Sequence, residues 1–516
     1  MNTIVDDSAA APGRRGGRKA RHRIRTAAPQ VSRPTLVRDI PVYEVLDRAG
    51  VELIHDASMR ILEEVGIDFR DDTAPGQWRE AGAEVDGERI RIPRELLMSL
   101  VEKTPESYTM RGRNPERTVT VGGRNTVFAP TYGSPYVLDF DDKRRYSTLE
   151  DLQQFHRLAY MSPALHVTGG IIVEPVDVAV PKRHLHIGLS LLTNSDKPFM
   201  GAVTSRERAE DTVEMAKIAY GADVVDSHTV MTSVCNCNSP LVWDQTMLDA
   251  VRVYAGNNQA VLLSPFVMAG ANTPASTVGA LAQLNAEALA GIAYAQLVRP
   301  GAPMVYGNYV ATVSMRSGAP MAGTPETCMM NYVIGQLARH YKLPWRSSGM
   351  INGSKLVDAQ AAYESLMTMH SVLLAGCNYV MHSAGWLEAG LTASFAKFAL
   401  DVEQIEIFCT YAGGLALDDL EECLDAVREV GPGGHYLGTK HTQDNFESAF
   451  FIPDLLDNNS FEQWSAEGGL DTNARGLARA REMLDRYEAP ELDAAVEEEL
   501  RAFVARREAE LPDAVT

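Results

Sequence analysis

The side chains best suited to chemistry in this 516-residue sequence mostly follow a series of short β-rich runs. They are amides, hydroxyls, aromatic rings and one histidine, and no paired carboxylates stand out among them. Such groups can hold and orient a ligand, whereas general acid–base catalysis relies on positioned titratable groups. The candidates are Tyr132, Asn236, Asn308, Tyr309, Lys355, His382 and Glu388, with Tyr411 and Tyr436 later in the chain.

Two of these residues are candidates for a catalytic role. His382 ends the last β-rich run, where an imidazole can face a ligand site. The alternative is a core histidine with both nitrogens hydrogen bonded. Asn308 ends an earlier run and is the second catalytic candidate. Cys235 and Cys237 are spaced more closely than structural zinc ligands usually are, so we expect buried thiols and no metal site.

The elements that would position these residues repeat eight times between residues 126 and 412. Each repeat has a β-rich run, a polar or glycine-rich stretch and an amphipathic helix. The runs begin at Thr126, Leu165, Pro198, His228, Ala260, Pro303, Pro344 and Asn378. Eight such units predict an α/β fold, a closed (β/α)8 TIM barrel with its active site on the loops that follow the strands. A doubly wound sheet is the alternative, but no glycine-rich phosphate-binding sequence opens a helix here.

The flanking segments predict three additions to this barrel. Residues 1–39 are rich in arginine, with no acidic residue between Ala9 and Arg38, which predicts a disordered basic tail. Residues 40–125 combine short helical and β-rich stretches and predict a small N-terminal α+β lead-in. Residues 413–516 are acidic and helical, which predicts a C-terminal helical extension that serves as a cap, an oligomer arm or both.

Charge and composition argue against several classes of function. The 48 basic and 68 acidic residues leave a net charge of −20, which is unfavourable for nucleic-acid binding. The most apolar helix, near residues 280–298, is interrupted by polar side chains, so we expect no membrane span. Six scattered cysteines suit a reducing cytoplasm rather than a disulfide framework. We therefore expect a cytoplasmic protein that forms homo-oligomers.

Several stretches of the chain resemble the trimethylamine methyltransferase family. They are RHLHIGLSLLTNSDKPFMG from Arg183, KLVDAQAAYES from Lys355, AGWLEAGLTAS from Ala384 and GTKHT from Gly438. The resemblance runs from about Val51 to the C-terminus. It implies a (β/α)8 protein that passes a methyl group from a methylated amine to the cobalt of a separate corrinoid protein, with no cofactor bound in its own chain.

The resemblance also indicates which branch of the family is involved. Founding members carry pyrrolysine in the neighbourhood that corresponds to residues 348–355, where this sequence has only standard residues. The resemblance thus implies the branch without pyrrolysine, where glycine betaine methyltransferases are found. Asp226-Ser227-His228 resembles the start of a cobalamin-binding sequence, but Met231 replaces its glycine, so no corrinoid is expected on this chain.

A quaternary amine suits the candidate residues because its nitrogen leaves as a neutral amine and needs no general acid. A trimethylammonium group is best held by aromatic faces and diffuse negative charge. The candidates for that role are Tyr132, Tyr309 and Glu388, with Tyr411 or Tyr436. A carboxylate on the substrate would need hydrogen-bond donors. The candidates for that role are His382, Asn308, Asn236 and Lys355.

Three other functions stay open on this evidence. The first is a methyltransferase of the same family that acts on trimethylamine or another betaine. The second is a noncatalytic barrel that binds quaternary amines. The third is a different barrel enzyme, such as a lyase that uses Lys355 as a Schiff-base amine.

Overall fold

The structure is a computed structural model that describes residues 35–513. Its strands are β1 Leu36–Val37, β2 Ile67–Arg70, β3 Glu84–Asp86, β4 Arg89–Arg91, β5 Ser107–Met110, β6 Val119–Gly122, β7 Asn125–Phe128, β8 Tyr136–Leu138, β9 Arg144–Tyr146, β10 Phe199–Met200, β11 Met231–Cys237, β12 Val242–Asp244, β13 Ala260–Ala269, β14 Met304–Gly307, β15 Tyr309–Val313, β16 Pro320–Met321, β17 Trp345–Ser348, β18 Tyr379–Met381, β19 Trp386–Leu387 and β20 Thr392–Ser394.

Helices alternate with these strands along most of the described chain. The α-helices are α1 Arg48–Arg60, α2 Ala74–Ala81, α3 Arg94–Val101, α4 Leu149–Met161, α5 Arg183–Asn194, α6 Arg206–Tyr220, α7 Ala222–Ser227, α8 Gln245–Gly256, α9 Thr277–Val298, α10 Pro325–His340, α11 Ala359–Leu374, α12 Phe395–Ala412, α13 Leu420–Val430, α14 Lys440–Asn445, α15 Phe461–Ala466, α16 Thr472–Asp485 and α17 Ala494–Glu510. A π-helical turn, Ile61–Val65, continues α1, and Pro115–Arg117 and Glu388–Gly390 are 3-10 turns.

The centre of the molecule is a parallel sheet of seven strands in the order β10-β11-β13-β14-β17-β18-β7. The extended segment 165–170 is hydrogen bonded to both edges of this sheet. His166 N donates to Phe128 O over 3.0 Å beside β7, and Thr168 N donates to Pro198 O over 3.0 Å beside β10. The two edges of the sheet are therefore joined through this segment, and the fold is mixed α/β.

Seven of the eight predicted β-rich runs contain a strand of this sheet. The exception is the run that begins at Leu165, which forms the hydrogen bonds just described without a regular ladder. Parallel strands buried on both faces are recognisable as short apolar runs, which explains why the pattern identified them.

A hairpin packs against the parallel sheet on its amino-terminal side. Tyr108 on β5 and Val121 on β6 pack in one buried cluster with Val127 and Tyr379 from the parallel strands. The hairpin continues to a hydrogen bond from Arg111 N to the carbonyl ahead of β11, over 2.8 Å. The hairpin therefore packs at the amino ends of the parallel strands, and their carboxyl ends lie at the opposite edge of the sheet.

The N-terminal lead-in and β12 build a second sheet, β12-β2-β4-β3, in which Phe69 on β2 and Trp243 on β12 contact the long helix α9. Helix α9 is buried from Ala280 to Gln296 because α1 and α3 cover one side and the parallel sheet covers the other. Its apolar character on all sides reflects this double burial. No helix between residues 35 and 513 is long and apolar enough to cross a membrane.

The predicted basic tail requires a correction at its end. Residues 1–34 of that prediction lie outside the described residues. The chain is already structured at Leu36–Val37, because β1 pairs antiparallel with β7. Arg38 is buried and donates to the carbonyl oxygen of Gly123 over 2.9 Å, so a boundary at residue 39 falls inside a packed segment. The composition that predicted disorder does not report these backbone and carbonyl contacts.

The C-terminal extension is helical and returns to the body in two places. Helix α16 packs against α12 and α4, and α17 packs against α5 and α6. Residues 415–452 lie between α12 and α16 in the sequence. In this described stretch only Ala426 and Thr439 are buried. We call this stretch the exposed segment.

Lys197 connects the joining segment 165–170 to its surroundings. Its buried ammonium donates to the carbonyl oxygens of Ala159, Ser162 and Leu165 over 2.8–2.9 Å, although burial lowers its pKa. These three acceptors would lose their partner in a Lys197→Met variant.

We expect Lys197→Met to lower the free energy of unfolding by about 3 kcal/mol or more, because buried acceptors would be left without donors. Urea denaturation followed by circular dichroism measures this. Lys143→Met is the matched control, since that side chain is exposed. Equal stability of the two variants would contradict the role given to Lys197.

Candidate active site

Four rings converge at the carboxyl edge of the parallel sheet. Phe266 on β13 and Tyr309 on β15 are stacked, with centroids 4.5 Å apart and planes 3° from parallel. The His382 ring lies 4.4 Å from that of Trp386 and 6.3 Å from that of Tyr309. We call these four residues the aromatic cluster. Such a group of faces can attract a cation that carries no hydrogen-bond donor.

Backbone pairing and one amide position the rings. Phe266 and Tyr309 are directly opposite each other in the parallel ladder of β13 and β15, which brings their side chains into register. Asn352 holds Trp386 from two directions. Its Nδ2 donates to the Trp386 carbonyl oxygen over 2.7 Å, and its own carbonyl accepts from the indole Nε1 over 3.1 Å.

A buried ion pair supports Asn352 from behind. Asn352 Nδ2 is 3.2 Å from Ser365 Oγ, which in turn accepts from Lys397 Nζ over 3.1 Å. Lys397 is paired with Asp401 at 2.5 Å, and Asp401 also accepts from the backbone N–H of Gly385, next to Trp386. These residues are positioning residues, because they act on the cluster only through Asn352 and Gly385.

His382 adopts a left-handed backbone conformation with φ of 54°. This conformation is uncommon for a side chain other than glycine, and such strain concentrates at functional sites. Its Nδ1 is 2.9 Å from Ser348 Oγ. Burial, with a further contribution from the charge of Arg346, lowers the pKa of His382 well below its usual value. The imidazole is therefore neutral at neutral pH and does not repel a cation.

Arg346 places a positive charge inside the protein beside the cluster. Its side chain is buried, and its Nη1 donates to Ser264 Oγ over 2.8 Å and to the Asn308 carbonyl oxygen over 2.7 Å. Among residues 35–513, no carboxylate lies within ion-pair distance of it, and its Nε has no hydrogen-bond partner. Burial lowers the pKa of Arg346 to about 10, and the side chain stays charged at neutral pH. A buried cation with a spare donor is suited to an anionic group on a ligand.

Two predicted residues lie near this edge in different surroundings. Asn236 continues the alternation of Thr232 and Val234 on β11 and is exposed at the strand end. Tyr132 lines a neighbouring side pocket of about 140 Å³, shared with Glu174 and Arg208. Its pKa is raised by burial. These placements agree with a ligand site but assign neither residue a role.

Asn308 does not have the free amide that a catalytic role would need. Its Oδ1 accepts from the Trp345 indole over 2.8 Å, and its Nδ2 donates to Ser347 Oγ over 3.2 Å. The side chain faces away from Tyr309 because neighbouring residues of an extended strand point to opposite faces. Its carbonyl, which accepts from Arg346, is the part that contributes to the site.

Lys355 and Glu388 lie on the exposed rim rather than in the aromatic cluster. Lys355 is exposed and donates to the Gly353 carbonyl oxygen over 2.7 Å. Glu388 is paired with Arg144 at 2.8 Å and accepts from Thr392 Oγ1 over 2.6 Å. Burial opposes ionisation of this carboxylate, but these hydrogen bonds lower its pKa overall. Its charge is already compensated by Arg144, which weakens it as a partner for a substrate cation.

Tyr411 and Tyr436 are placed away from the cluster. Tyr411 lies in the last turn of α12, where the next residue, Ala412, accepts a backbone hydrogen bond from Asp39 over 2.7 Å. Asp39 adjoins Arg38, which is bonded to the residue ahead of β7, so Tyr411 lies at the amino edge. Tyr436 is in the exposed segment that begins there. These placements do not support the substrate-binding roles of Tyr411 and Tyr436, which stay predictions.

The three site residues that sequence reasoning missed were Phe266, Arg346 and Trp386. A charged residue within a predicted buried run was the available signal for Arg346. Trp386 lies in the AGWLEAGLTAS stretch, and Phe266 follows the run that begins at Ala260. As for metals, no group of three potential ligands occurs in the part of the chain that the structure describes.

Comparison with known proteins identifies the family. The model of the family described as trimethylamine methyltransferase (MTTB) matches residues 14–512. The chain belongs to this family. It is 41% identical to glycine betaine methyltransferase of Desulfitobacterium hafniense (strain Y51), over 91% of this chain and 98% of that protein. It is 30% identical to the proline betaine:corrinoid methyltransferase of Eubacterium limosum, over 75% and 82% of the two chains.

The family match makes the protein a methyltransferase and confirms the resemblance. Among solved structures, monomethylamine methyltransferase (MtmB) of Methanosarcina barkeri superposes with a TM-score of 0.52. The alignment covers 87% of this chain and 90% of that one at 11% identity, so the likeness concerns the fold alone. The shared architecture is mixed α/β, in agreement with the parallel sheet described above.

The neutral state of His382 can be tested by NMR. Because its pKa is lowered, we expect the chemical shift of its Cε1–H to stay constant between about pH 8 and pH 5.5. A free imidazole titrates within this range, at about pH 6.5. His382→Gln assigns the resonance by its disappearance. The same shift makes folding less favourable as the pH falls below about 6.5, since the unfolded chain then binds a proton that the folded site excludes. A resonance that titrates near pH 6.5 would contradict the buried, neutral imidazole.

Proposed function

We propose that this protein transfers a methyl group from glycine betaine, or a betaine of similar length, to reduced cobalt in a corrinoid carried by a separate protein. The observation that carries the proposal is the buried Arg346 beside the aromatic cluster, because together they offer a place for each charge of a zwitterion. The names of the two betaine methyltransferases that it resembles support the same substrate class.

The proposal includes closure of the parallel sheet into a (β/α)8 barrel. The hydrogen bonds of segment 165–170 to Phe128 and Pro198 support it, since they join the first and last strands of the sheet. In such a barrel the active site lies at the carboxyl ends of the strands, which is where the aromatic cluster and Arg346 occur.

The trimethylammonium group would bind to the faces of Phe266, Tyr309 and Trp386. A quaternary nitrogen has no N–H to donate, so the quadrupoles of the rings are its main source of attraction. Neutral His382 completes the cluster without adding a positive charge. The rings are held by the ladder and by Asn352, so little ordering is needed on binding.

The carboxylate of the substrate would accept from Arg346. Without an anionic group on the ligand, the charge of Arg346 would repel a bound cation. The site therefore favours a zwitterion over trimethylamine, which has no anionic group. A site built to bond one polar group discriminates strongly against analogues that lack it, because the buried partner is then left unpaired. This argument favours a betaine over the runner-up substrate, trimethylamine.

The chemistry needs no proton transfer from the protein. The methyl carbon forms a bond to cobalt as its bond to nitrogen breaks, and the electron pair stays on nitrogen, which leaves as a neutral tertiary amine. The cobalt supplies the two electrons of the new bond. The protein's own contribution is to fix the N–CH₃ bond in line with the incoming acceptor and to exclude water.

The acceptor would be presented by a partner protein at the carboxyl edge, with no corrinoid resident in this chain. Reduced cobalt is compatible with a cytoplasmic location, which the six free cysteines of the described structure also suit. The rim residues Lys355 and Glu388 would then lie near the docking surface. A Schiff-base role for Lys355 is less favoured, because such lysines are usually desolvated and this one is exposed.

We expect the wild-type protein to convert Co(I) to methyl-Co(III) cobalamin when given glycine betaine, as followed by absorbance. Arg346→Gln should lower kcat/KM for glycine betaine by about 100-fold or more, since a buried charge partner is removed. Its activity with tetramethylammonium, which has no carboxylate, should not fall. Arg316→Gln, an exposed residue on the β15–β16 turn, is the matched control.

The outcomes distinguish the rival functions. Binding of glycine betaine without methyl transfer, even with a corrinoid protein present, would favour the noncatalytic binder. Borohydride trapping of a carbonyl substrate on Lys355 would favour the lyase. Wild-type activity with trimethylamine alone would favour the other family substrate. An equal loss in Arg346→Gln for both quaternary amines would contradict carboxylate recognition but not methyl transfer.

The aromatic cluster gives a separate prediction. Trp386→Leu should lower kcat/KM for glycine betaine by about 30-fold, which corresponds to about 2 kcal/mol of desolvated cation–π attraction. His382→Ala should abolish the activity. Trp464→Leu is the control, because that indole lies on α15 outside the cluster. Unchanged kinetics in both cluster variants would remove them from the site.

A further inference from the structure

A cavity of about 540 Å³ lies at the amino edge of the parallel sheet, away from the aromatic cluster. Gly123 and Arg124, just ahead of β7, form one part of its wall. Leu343 precedes β17, Gly376 precedes β18, and both line the cavity as well. Arg38, which follows β1, completes it from the N-terminal segment. The cavity is therefore distinct from the candidate active site at the carboxyl edge.

Four basic side chains line this cavity, and we call them the basic cluster. They are Arg38, Arg124, Arg339 and Lys342. Three of them have a carboxylate partner at 2.5–3.7 Å, in the pairs Arg124–Asp39, Arg339–Glu44 and Lys342–Glu106. These pairs leave one positive charge of the cluster without a counterion, that of Arg38.

Arg38 is a buried cation in this cluster. It is 5% exposed, and no carboxylate between residues 35 and 513 lies within ion-pair distance of it. Its Nη2 and Nε donate to the carbonyl oxygens of Gly123 and Arg124, but its Nη1 has no hydrogen-bond partner in the described part of the chain. Burial lowers the pKa of Arg38 to about 10, so the guanidinium stays charged at neutral pH.

Other positive charges lie close to this guanidinium. A Cβ built on Gly376 would be 2.6 Å from Arg38 Nη1 and 3.1 Å from Arg339 Nη1, so the two guanidinium groups meet at this glycine. The charges of Arg339 and Arg124 both oppose the charge of Arg38 and lower its pKa further. Arg339 Nε has no hydrogen-bond partner among the described residues. Like charges held together beside a cavity are stabilised by an anion placed in it.

The acidic residues nearest along the chain are already engaged. Asp39 and Glu44 belong to the pairs described above, and the stretch from Ala9 to Arg38 contains no acidic residue. A nucleic acid or another large polyanion is disfavoured, because the whole protein has a net charge of −20. A small anionic ligand is the occupant that the charges favour.

The rest of the wall indicates the kind of anion. Ile40, Val42 and Leu343 give one side of the cavity an apolar surface, which suits an organic group. A phosphate group projects its oxygens in several directions and can accept from more than one guanidinium at once, which makes it a preferred partner of arginine. A phosphate monoester combines these two parts in one small molecule.

We propose that the cavity at the amino edge binds a small phosphate monoester. The basic cluster would hold its phosphate group, and its organic part would lie against Ile40, Val42 and Leu343. Because Arg38 and Arg339 would share the ligand, binding would also hold the chain that follows β1 against helix α10. This site takes no part in the methyl transfer proposed above, and its test does not depend on that reaction.

The test measures binding to the full chain by isothermal titration calorimetry with three probes. Phenyl phosphate has both parts of the proposed ligand, inorganic phosphate lacks the ring, and benzoate has the ring with a carboxylate. We expect phenyl phosphate to bind about 10-fold more tightly than either of the others, since only it satisfies both surfaces. A wild type that binds no phenyl phosphate overturns the proposal. Benzoate that binds equally well overturns the choice of phosphate.

Variants identify the residues that bind the probe. Arg38→Met should weaken phenyl phosphate binding by about 10-fold or more, because a buried charge partner is lost. Lys342→Met should weaken it by about 3-fold, because that ammonium is exposed. Arg48→Met, an exposed residue on α1, is the matched control, and Arg346→Gln tests the carboxyl edge. A loss of binding in either of these two would overturn the proposal. Unaltered circular dichroism separates loss of binding from loss of folding.

Hydrogen exchange locates the bound probe. Asp39 N donates to the Ala412 carbonyl oxygen over 2.7 Å, and Tyr43 N donates to that of Leu374 over 2.9 Å. Phenyl phosphate should slow amide exchange of residues 36–43, since a ligand that binds the folded segment opposes its local opening. Slowing confined to residues at the carboxyl edge would overturn the placement of the site.

Discussion

The arrangement of the site depends on one buried positive charge that has no protein carboxylate to neutralise it. Removing a guanidinium from water costs several kcal/mol, and this cost is tolerated here through hydrogen bonds from Arg346 to Ser264 and to the backbone of Asn308. The same charge, added to burial, keeps His382 neutral. One residue therefore affects both parts of the proposed site, because it offers a partner for an anionic group and helps to keep the imidazole of His382 uncharged.

Rigid support explains how these groups keep their geometry. Phe266 and Tyr309 are fixed by a parallel ladder, whereas Trp386 comes from a loop and needs Asn352, Ser365 and the buried Lys397–Asp401 pair behind it. The left-handed backbone at His382 also needs rigid support, since a strained residue persists only when its surroundings hold it in place. Such support would let the proposed site orient a methyl donor without rearrangement of the protein.

Sequence reasoning located the strands well because parallel strands buried on both faces have a clear apolar signal. It was less successful in predicting which way a side chain points or a helix runs. Asn308 and Tyr309 are neighbours, yet alternation sends one ring toward the site and one amide away from it. The place of Tyr411 could not be predicted, because it lies in the last turn of a helix that runs back to the amino edge, and helix direction relative to a distant site is a tertiary property. Arg346 was missed because a charge inside a strand gives no indication of which face it occupies.

The hairpin of β5 and β6 has a consequence for the order of events in turnover. It packs at the amino ends of the parallel strands, so both reactants of the proposed reaction would approach from the carboxyl edge. On the proposed function, the small zwitterion would have to enter before the much larger carrier protein covers that edge, and the demethylated amine would leave only after the carrier departs. The hairpin, which holds no reacting group, would therefore fix the order of substrate binding and product release from the opposite end of the molecule.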